Sequence, residues 1–331
     1  MCDKKNAVPC MEVRGLKKYY PFKGGRTLRA VDGVDLTIHT GEIFGIVGES
    51  GCGKSTLGKC MMRLTDLTEG QVLFQGKDIS SQSRKALRSE LQRMQMIFQN
   101  PYSSFNPKLK LSYSLAEPCR LKGMSKPQIR ERMDQFLQYI SLSENELNRF
   151  PHELSGGQLQ RLAIARALLL DPEFIVADEP VSALDVSVQA QILNLIADLK
   201  QNFRMTMMFI SHDMTVVEHI CDKVAVMYLG AVVEWGESDA VFRNIQHPYT
   251  QALISAIPVI DLEQQKKERI ILQGDIPTAL EEHKGCRFAS RCSRCQEICR
   301  SQPPQLRETE PGHYVACHCC SFGKGQIDIT K

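Results

Sequence analysis

The sequence predicts an α/β fold with a parallel sheet, an inserted helical subdomain and a small Cys-rich C-terminal module. Four short, nearly continuous apolar runs indicate strands that are covered on both faces. These runs are residues 43–47, 94–98, 174–177 and 207–210. Apolar residues at helical spacing between Val188 and Leu199 complete a strand–helix–strand unit with the last two runs.

A helical segment and a change in composition divide the rest of the chain. Residues from about 112 to 150 follow a helical pattern, so we expect an inserted helical subdomain over about 100–170. Near residue 245 the composition shifts towards a charged stretch and then a tail rich in Cys and Pro. We therefore expect two units, residues 1–245 and a C-terminal extension over 246–331.

Composition excludes several classes of protein. With 43% hydrophobic and 24% charged residues, the 331-residue chain is neither disordered nor fibrous. The longest central apolar stretch, Val224–Val233, is far short of the roughly 18 residues that a membrane-spanning helix needs. Residues 1–6 are followed by no apolar run, so no secretory signal is expected. The net charge of +3 (41 basic minus 38 acidic residues) is too small to predict nucleic acid as the main partner.

A phosphate-binding loop follows the first apolar run. The string Gly48-Glu49-Ser50-Gly51-Cys52-Gly53-Lys54-Ser55 fits the pattern G-x-x-x-x-G-K-[ST]. Its glycines let successive N–H groups curl around phosphate, and the helix N-terminus that follows favours negative charge. Lys54 can reach the β- and γ-phosphates, and Ser55 can place its hydroxyl on Mg²⁺. Residues 1–245 are therefore predicted to form a nucleotide-binding domain.

Two carboxylates end the apolar run at 174–177. Solvated acids are common at strand ends, but a phosphate-binding loop also requires a metal-binding carboxylate, and Asp178 suits that role. Glu179 is one residue on and points elsewhere, so it can polarise a water for attack on the γ-phosphate as a general base.

A Gly-Gly string precedes the helix-like run from Gln160 to Leu170. Leu154-Ser155-Gly156-Gly157-Gln158 can be a Ser-capped, flexible helix entrance, or it can offer N–H groups to an anion. The string is the signature of ATP-binding cassette (ABC) ATPases. Residues from about 11 to 245 resemble one complete nucleotide-binding domain of that family.

The resemblance implies roles for further residues in the family's order. Tyr20 is placed like the aromatic residue that stacks on adenine, with its neighbour Tyr19 as the alternative. Gln99 resembles the glutamine that senses Mg²⁺ and the attacking water, and His212 resembles the histidine that contacts the γ-phosphate. The implied catalytic residues are Glu179, His212 and Gln99, and the implied Mg²⁺ ligands are Ser55, Gln99 and Asp178. The segment Ser182-Ala183-Leu184-Asp185 resembles the family's D-loop. The residues implied to bind the nucleotide are Tyr20, Gly48, Glu49, Ser50, Gly51, Cys52, Gly53, Lys54, Ser55 and Thr56.

In this family, two domains bind head to tail, and each ATP lies between one domain's phosphate-binding loop and the other's signature. The chain carries one set of motifs, so the resemblance implies a partner domain. Bound ATP then bridges the two domains, and hydrolysis releases them.

A narrower resemblance covers nearly the whole chain. Three segments, residues 98–107, 178–187 and 247–250, look like bacterial oligopeptide, dipeptide or nickel importers, and Pro180-Val181-Ser182 looks like their F-type ATP-binding subunit. The resemblance implies a peripheral protein at the cytoplasmic face of the cell membrane. Its implied partners are a D-type ATP-binding subunit, two transmembrane permease subunits and, indirectly, a substrate-binding protein. The loop at 101–107 either cradles a permease coupling helix or is a plain surface turn.

Alternative functions stay open at this point. A nickel importer of the same family is the nearest one, because the substrate pocket lies on other proteins. A soluble ABC ATPase acting on ribosomes or DNA is disfavoured, since the chain has one cassette, no room for a long coiled coil and no basic excess. An exporter ATPase is disfavoured by the separate chain and the cysteine tail.

Cysteine is the unusual count: of 13, seven lie between Cys286 and Cys320, and the six scattered ones are expected to be ordinary small residues. The family's C-terminal cysteine module is matched by Cys286-x5-Cys292-x6-Cys299-x17-Cys317, which implies a [4Fe–4S] cluster, with Zn²⁺ or no metal as alternatives. Cys295, Cys319 and Cys320 leave the ligand set ambiguous. Because the tail is far from the phosphate-binding loop in sequence, we expect it to be structural or redox-sensing and not part of hydrolysis.

Overall fold

Two β-sheets of different kinds organise the chain. The computed structural model describes residues 8–83, 85–257, 270–272, 274, 277–280 and 283–320. The described strands are β1 (Pro9–Pro21), β2 (Thr27–His39), β3 (Ile43–Val47), β4 (Glu69–Phe74), β5 (Lys77–Asp78), β6 (Met94–Ile97), β7 (Phe174–Asp178), β8 (Met207–Ser211), β9 (Lys223–Tyr228), β10 (Ala231–Glu237), β11 (Arg307–Glu310) and β12 (His313–Val315). The described helices are α1 (Lys54–Met61), α2 (Arg88–Gln92), α3 (Leu111–Leu121), α4 (Lys126–Tyr139), α5 (Glu144–Leu147), α6 (Gly156–Leu168), α7 (Val186–Phe203), α8 (Met214–Ile220), α9 (Ser238–Arg243), α10 (Pro248–Ser255) and α11 (Glu297–Ser301).

The larger sheet contains the four strands that the sequence predicts. Its order in the described chain is β11-β12-β10-β9-β3-β8-β7-β6, and the run from β9 to β6 is parallel. Every residue of β3, β7 and β8 is buried, as expected for strands covered on both faces. The predicted parallel α/β core is confirmed, with β6 ending one residue earlier than expected, before the half-exposed Phe98.

The smaller sheet is antiparallel, with the order β2-β1-β4-β5. Its inner face contributes Met11, Val13 and Leu16, each at most 1% exposed, to a core shared with α1 and the large sheet. The sequence analysis assigned no strands here. The pairing of β1 with β2 is interrupted by several register shifts, so the period-two alternation that marks a half-buried strand is broken.

Three helices, α3, α4 and α5, form the predicted helical insertion. Helix α4 begins with a capping box in which Ser125 N–H donates to the Gln128 side chain. The predicted apolar face of α4, with Met133, Phe136 and Leu137, is buried in the main core. Helix α6, which the Leu154–Gln158 string opens, follows this insertion and contacts α3, α7 and β6.

The C-terminal extension is joined to the large sheet. Strand β12 pairs with β10, and the rings of Tyr314 and Trp235 stack with centroids 4.5 Å apart. Phe288 is 1% exposed and packs against Tyr228 and Tyr249. Phe288 and Val315 of the extension are therefore buried against the rest of the fold. Its residues 258–269 and 321–331 lie outside the described residues.

Among the described helices, none combines the length and the apolar character needed to cross a bilayer.

A buried histidine in the C-terminal extension predicts that the protein loses stability in acid. His247 is 1% exposed, and its Nδ1 caps α10 by accepting from the Tyr249 N–H at 3.1 Å. Burial, opposed by the nearby Glu234 carboxylate, lowers the pKa of His247 to about 4. The pKa of a histidine in the unfolded chain is about 6.5. Above that pH the ring is neutral in both the folded and the unfolded state, so the full contribution of His247 to the free energy of unfolding is present. It is lost progressively as pH falls towards 4, by up to roughly 3 kcal/mol.

The measurement is the free energy of unfolding in urea between pH 7 and pH 4. His247→Asn keeps a capping acceptor without a titrating ring, so its stability should fall less steeply over this interval than that of the wild type. Equal slopes for the two proteins would contradict the prediction.

Candidate nucleotide-binding and hydrolysis site

The loop between β3 and α1 wraps around its own lysine. Gly48 and Gly53 have φ values of +151° and +108°, and a Cβ there would lie 2.2 Å from the Met227 carbonyl oxygen and 2.1 Å from the Ala30 carbonyl oxygen. Only glycine fits both positions. Lys54 is 4% exposed, and its Nζ donates to the carbonyls of Gly48 at 2.7 Å and Glu49 at 3.0 Å. A cation inside a ring of backbone groups at a helix start suits a phosphate chain.

A hydroxyl and a carboxylate meet beside this loop. Ser55 Oγ donates to Asp178 Oδ1 at 2.6 Å. Asp178 is 7% exposed, and burial is the main cause that raises the pKa of its carboxyl group. Hard cations prefer oxygen ligands, so this pair has the donor chemistry that Mg²⁺ needs.

Three predicted catalytic side chains come together at the ends of β6, β7 and β8. Gln99 Nε2 donates to Glu179 Oε2 at 3.0 Å, and His212 Nδ1 lies 3.3 Å from the same oxygen. Glu179 has a left-handed backbone with φ +46°, and its N–H donates to the Ile210 carbonyl at 3.0 Å. A non-glycine residue in that conformation is strained by roughly 1 kcal/mol and is held by its surroundings.

The predicted D-loop leads from this cluster into α7. Ser182 Oγ lies 3.2 Å from Gln99 Nε2 and donates to the Glu179 carbonyl at 3.1 Å. Asp185 caps α7 by accepting from the Val188 N–H at 2.9 Å, and a hydrogen bond from Ser187 lowers the pKa of its carboxyl group. The segment Ser182-Ala183-Leu184-Asp185 therefore contacts Gln99 and Glu179 at its start and caps α7 at its end.

The Leu154–Gln158 string opens α6. Ser155 caps the helix and accepts from the Gln158 N–H at 3.3 Å, and the Gln158 side chain accepts from the Ser155 N–H at 3.1 Å. A Cβ on Gly157 would stand 2.3 Å from a Val188 methyl group, so glycine is needed for the approach of α6 to α7. In the described chain, no hydrogen bond of residues 154–158 reaches the phosphate-binding loop.

The two candidate tyrosines on β1 face different neighbours. The Tyr19 hydroxyl donates to Asp32, and the Arg29 guanidinium lies 5.3 Å from the Tyr19 ring centroid. The Tyr20 hydroxyl lies beside Thr56 and Thr65, on the side of α1, and burial raises its pKa. Tyr20 is therefore the tyrosine on the same side as the phosphate-binding loop.

Two residues of the predicted docking loop, Pro101 and Phe105, are buried. Phe105 is 5% exposed, and the Arg166 guanidinium lies 5.9 Å from its ring centroid. The interpretation of Phe105 as part of a surface cradle is wrong, because its ring fills the core under the loop. Tyr102 is 46% exposed, and its hydroxyl donates to the Leu154 carbonyl at 3.3 Å. Tyr102 thus connects the loop directly to the signature string.

The cysteine tail is far from the phosphate-binding loop in sequence but contacts it in the structure. Arg291, next to Cys292, binds the Glu49 carboxylate with N···O distances of 2.8 and 3.1 Å. Arg287 binds Asp32 at 2.7 Å, and the Tyr249 hydroxyl accepts from the Glu49 N–H at 2.8 Å. None of these contacts is predictable from the sequence, because their partners are 200 to 255 positions apart and share no local pattern.

The four predicted cysteine ligands are neighbours. Cys286 N–H donates to the Cys299 carbonyl at 2.7 Å, and Cys299 and Cys317 are buried. Burial, and then the neighbouring thiols, raise the pKa of Cys286 to about 11. A hydrogen bond from Cys320 lowers the pKa of Cys317. Among the described residues, however, no group of three or more His, Cys, Asp or Glu side chains is arranged to hold a metal ion.

Five of the six scattered cysteines are buried, and Cys2 lies outside the described residues. Burial raises the pKa of Cys10 and Cys60 to about 11 each, and it also raises those of Cys52, Cys119 and Cys221. Thiols of this kind are unreactive.

A family model and two solved structures identify the class of the fold. Residues 31–182 match the family model described as "ABC transporter". The dimeric post-hydrolysis state of an ATP-binding cassette bound to ADP and Pi is 29% identical, with a TM-score of 0.64, and the match covers 69% of this chain and 98% of that chain. CbiO1 of Clostridium perfringens, part of the ABC transporter complex CbiONQ, is 28% identical with a TM-score of 0.64, covering 72% and 92% of the two chains. The chain is an ABC-type ATPase.

A second family model and the sequence relatives assign the chain to a narrower family. Residues 233–299 match the model "Oligopeptide/dipeptide transporter, C-terminal region". The oligopeptide transport ATP-binding protein AppF of Bacillus subtilis is 46% identical over 96% of this chain and 99% of its own. The dipeptide transport ATP-binding protein DppF of Escherichia coli is 45% identical over 93% and 94%. The chain belongs to the family of ATP-binding subunits of oligopeptide and dipeptide ABC transporters.

The cluster of Gln99, Glu179 and His212 predicts that a substitution can abolish ATP hydrolysis while ATP binding is retained. Glu179→Gln replaces the predicted base by an amide of the same shape, so ATP affinity should be retained while turnover falls at least ~100-fold. Lys54→Ala removes the cation that is predicted to face the phosphates and should instead weaken binding itself. Nucleotide binding and phosphate release are measured on the same preparations. Turnover of Glu179→Gln close to that of the wild type would remove Glu179 from this role.

Proposed function

We propose that this chain is the ATP-hydrolysing subunit that drives import of oligopeptides or dipeptides through a membrane ABC transporter. The observation that carries the proposal is the match to peptide-transport ATP-binding subunits over nearly the full chain, including the C-terminal extension. The described side chains supply the chemistry for hydrolysis, as follows.

Phosphate binding rests on the loop at 48–55 and the start of α1. Lys54 offers its charge to the β- and γ-phosphates, and backbone N–H groups of the loop donate to their oxygens. Ser55, Asp178 and Gln99 are the proposed ligands of Mg²⁺, which neutralises the phosphate oxygens when bound. Tyr20 is the proposed adenine-stacking residue, because its ring lies on the α1 side of β1.

Hydrolysis rests on the cluster around Glu179. Its carboxylate accepts a proton as the water oxygen attacks the γ-phosphorus, and the β–γ bridging oxygen leaves on ADP. Gln99 and His212 hold Glu179, at 3.0 and 3.3 Å from one carboxylate oxygen, and we assign both to the γ-phosphate end of the site. The strained backbone of Glu179 fixes the direction of its carboxylate.

Completion of the site needs a second ATP-binding domain. The exposed start of α6 offers Ser155 and the N–H groups that follow it to an anion, and no hydrogen bond of this string in the described chain reaches its own phosphate-binding loop. We assign it to a nucleotide on a partner subunit, of the D-type as the F-type resemblance implies. The partner's signature would in turn face Lys54.

Transport requires contact with membrane subunits. Tyr102 is exposed, lies between the Gln99 loop and Leu154, and presents a ring to the surface. We assign this surface to a coupling helix of a permease, which places the chain at the cytoplasmic face of the membrane as a peripheral subunit. A substrate-binding protein would supply the peptide on the other side.

The test of this function is reconstitution with the subunits that co-purify from native membranes. Proteoliposomes should accumulate labelled peptide only with ATP, and not with Glu179→Gln. Accumulation of Ni²⁺ without peptide would assign the chain to a nickel importer. A fully active homodimer needing no second ATP-binding chain would overturn the heterodimer.

The docking loop predicts an uncoupled variant. Tyr102→Ala removes an exposed ring that touches no predicted catalytic side chain, so basal ATPase should stay within about twofold of the wild type while peptide-stimulated ATPase falls roughly tenfold. Tyr113→Ala, which removes an equally exposed tyrosine from α3, is the matched control and should change neither rate. An equal fall in basal ATPase for Tyr102→Ala would show that the ring supports Gln99 and not a docked helix.

We also propose a metal centre on Cys286, Cys292, Cys299 and Cys317, most simply a [4Fe–4S] cluster. The cysteine spacing supports it, and the other three thiols lie near Cys286, although the described side chains are not arranged as a metal site. Protein prepared without oxygen should contain iron and sulfide at one cluster per chain, and Cys299→Ser should lose them. Stoichiometric zinc without iron would replace the cluster by Zn²⁺, and absence of both metals would end the proposal.

A further inference from the structure

The phosphate-binding loop is held from outside by the C-terminal extension. Tyr249, on α10, accepts from the Glu49 N–H at 2.8 Å. Arg291 donates from Nη1 to Glu49 Oε2 at 2.8 Å and from Nη2 to Glu49 Oε1 at 3.1 Å. One residue of the loop is therefore fixed through both its backbone and its carboxylate, by side chains more than 190 positions away.

The arginine in this pair is itself immobilised. Its side chain is only 7% exposed, against 21% for Glu49, and Nη1 lies 3.4 Å from the Tyr228 hydroxyl. Tyr228 packs against Tyr249 and Phe288 with ring centroids 4.6 and 5.3 Å apart. A planar, two-bond pair held in such a rigid setting has a fixed geometry, unlike an exposed surface ion pair.

The negative charge of the Glu49 carboxylate opposes the binding of a polyphosphate to this loop. Glu49 directly follows Gly48, whose carbonyl accepts from Lys54, so its negative charge lies within the segment that must bind a polyphosphate. Like charges in a partly desolvated site repel strongly. Arg291 compensates the charge and turns the carboxylate towards the extension.

We propose that Arg291 is a positioning residue for ATP binding, which neutralises Glu49 and orients it away from the phosphates. The proposal rests on the assignment of ATP to this loop. It makes the cysteine-containing segment part of the nucleotide site, because Arg291 is adjacent to Cys292. The expected loss of affinity without Arg291 is electrostatic and is larger for ATP than for ADP.

The experiment measures the Kd of Mg-ATP and Mg-ADP for the full chain and three variants. Arg291→Gln should raise the Kd for ATP roughly tenfold, about 1.4 kcal/mol, and that for ADP less. The effect should shrink in high salt. The double variant Glu49→Gln with Arg291→Gln removes the uncompensated charge and should return the Kd to within about twofold of the wild type.

Arg287→Gln is the matched control. It removes a comparable arginine from the same segment, with its 2.7 Å bond to Asp32, and leaves Glu49 paired. Its ATP affinity should stay within about twofold of the wild type, although its thermal stability should fall like that of Arg291→Gln.

Three results would overturn the inference: unchanged affinity in Arg291→Gln, no rescue by Glu49→Gln, or an equal loss in Arg287→Gln. Where Arg291→Gln does not fold, Glu49→Gln alone decides, since it should bind ATP at least as tightly as the wild type and weaker binding would contradict the role. A wild-type chain that binds no ATP would instead refute the proposed function.

Discussion

The candidate site depends on one geometric constraint, the shared edge of four adjacent parallel strands. In parallel strands the carboxyl ends meet at one edge, and here β3, β8, β7 and β6 are consecutive in the sheet. The phosphate-binding loop follows β3, His212 follows β8, Glu179 follows β7 and Gln99 follows β6. Residues spread over more than 160 positions are thereby brought within hydrogen-bond distance without any special long-range contact.

The same constraint explains why so much of the site could be predicted. The buried strands are recognisable as apolar runs, and Asp178 and Glu179 are predicted from their place at the end of one. The roles of Gln99 and His212 come from the family resemblance. Motifs such as Gly48–Ser55 are local, and the sheet supplies the rest. Ser55 lies in the helix after β3, and Asp178 is the last residue of β7, with only β8 between the two strands, so the shared edge accounts for their contact at 2.6 Å.

Other contacts could not be predicted, because they join surfaces and not strand ends. The Arg291–Glu49 pair links a loop to an extension that the sequence marks only as rich in cysteine. The antiparallel sheet was missed because bulges interrupt the alternation in β1. Phe105 was misplaced because an aromatic residue in a Pro- and Asn-rich turn can lie on either side of the loop, and the choice is made by the core beneath it.

The extension also changes what counts as the nucleotide-binding unit. A loop of glycines that approaches Met227 and Ala30 this closely has little packing of its own, so its shape must be set by what surrounds it. The surroundings are β2 and β9 on one side and Tyr249 with Arg291 on the other. Strand β12 adds to the same sheet, and the His313–Glu234 pair, fully buried at 2.9 Å, ties it to β10. Residues after 245 therefore contribute contacts that hold the phosphate-binding loop, and a cut at the change in composition would remove the contacts of Tyr249 and Arg291 with Glu49.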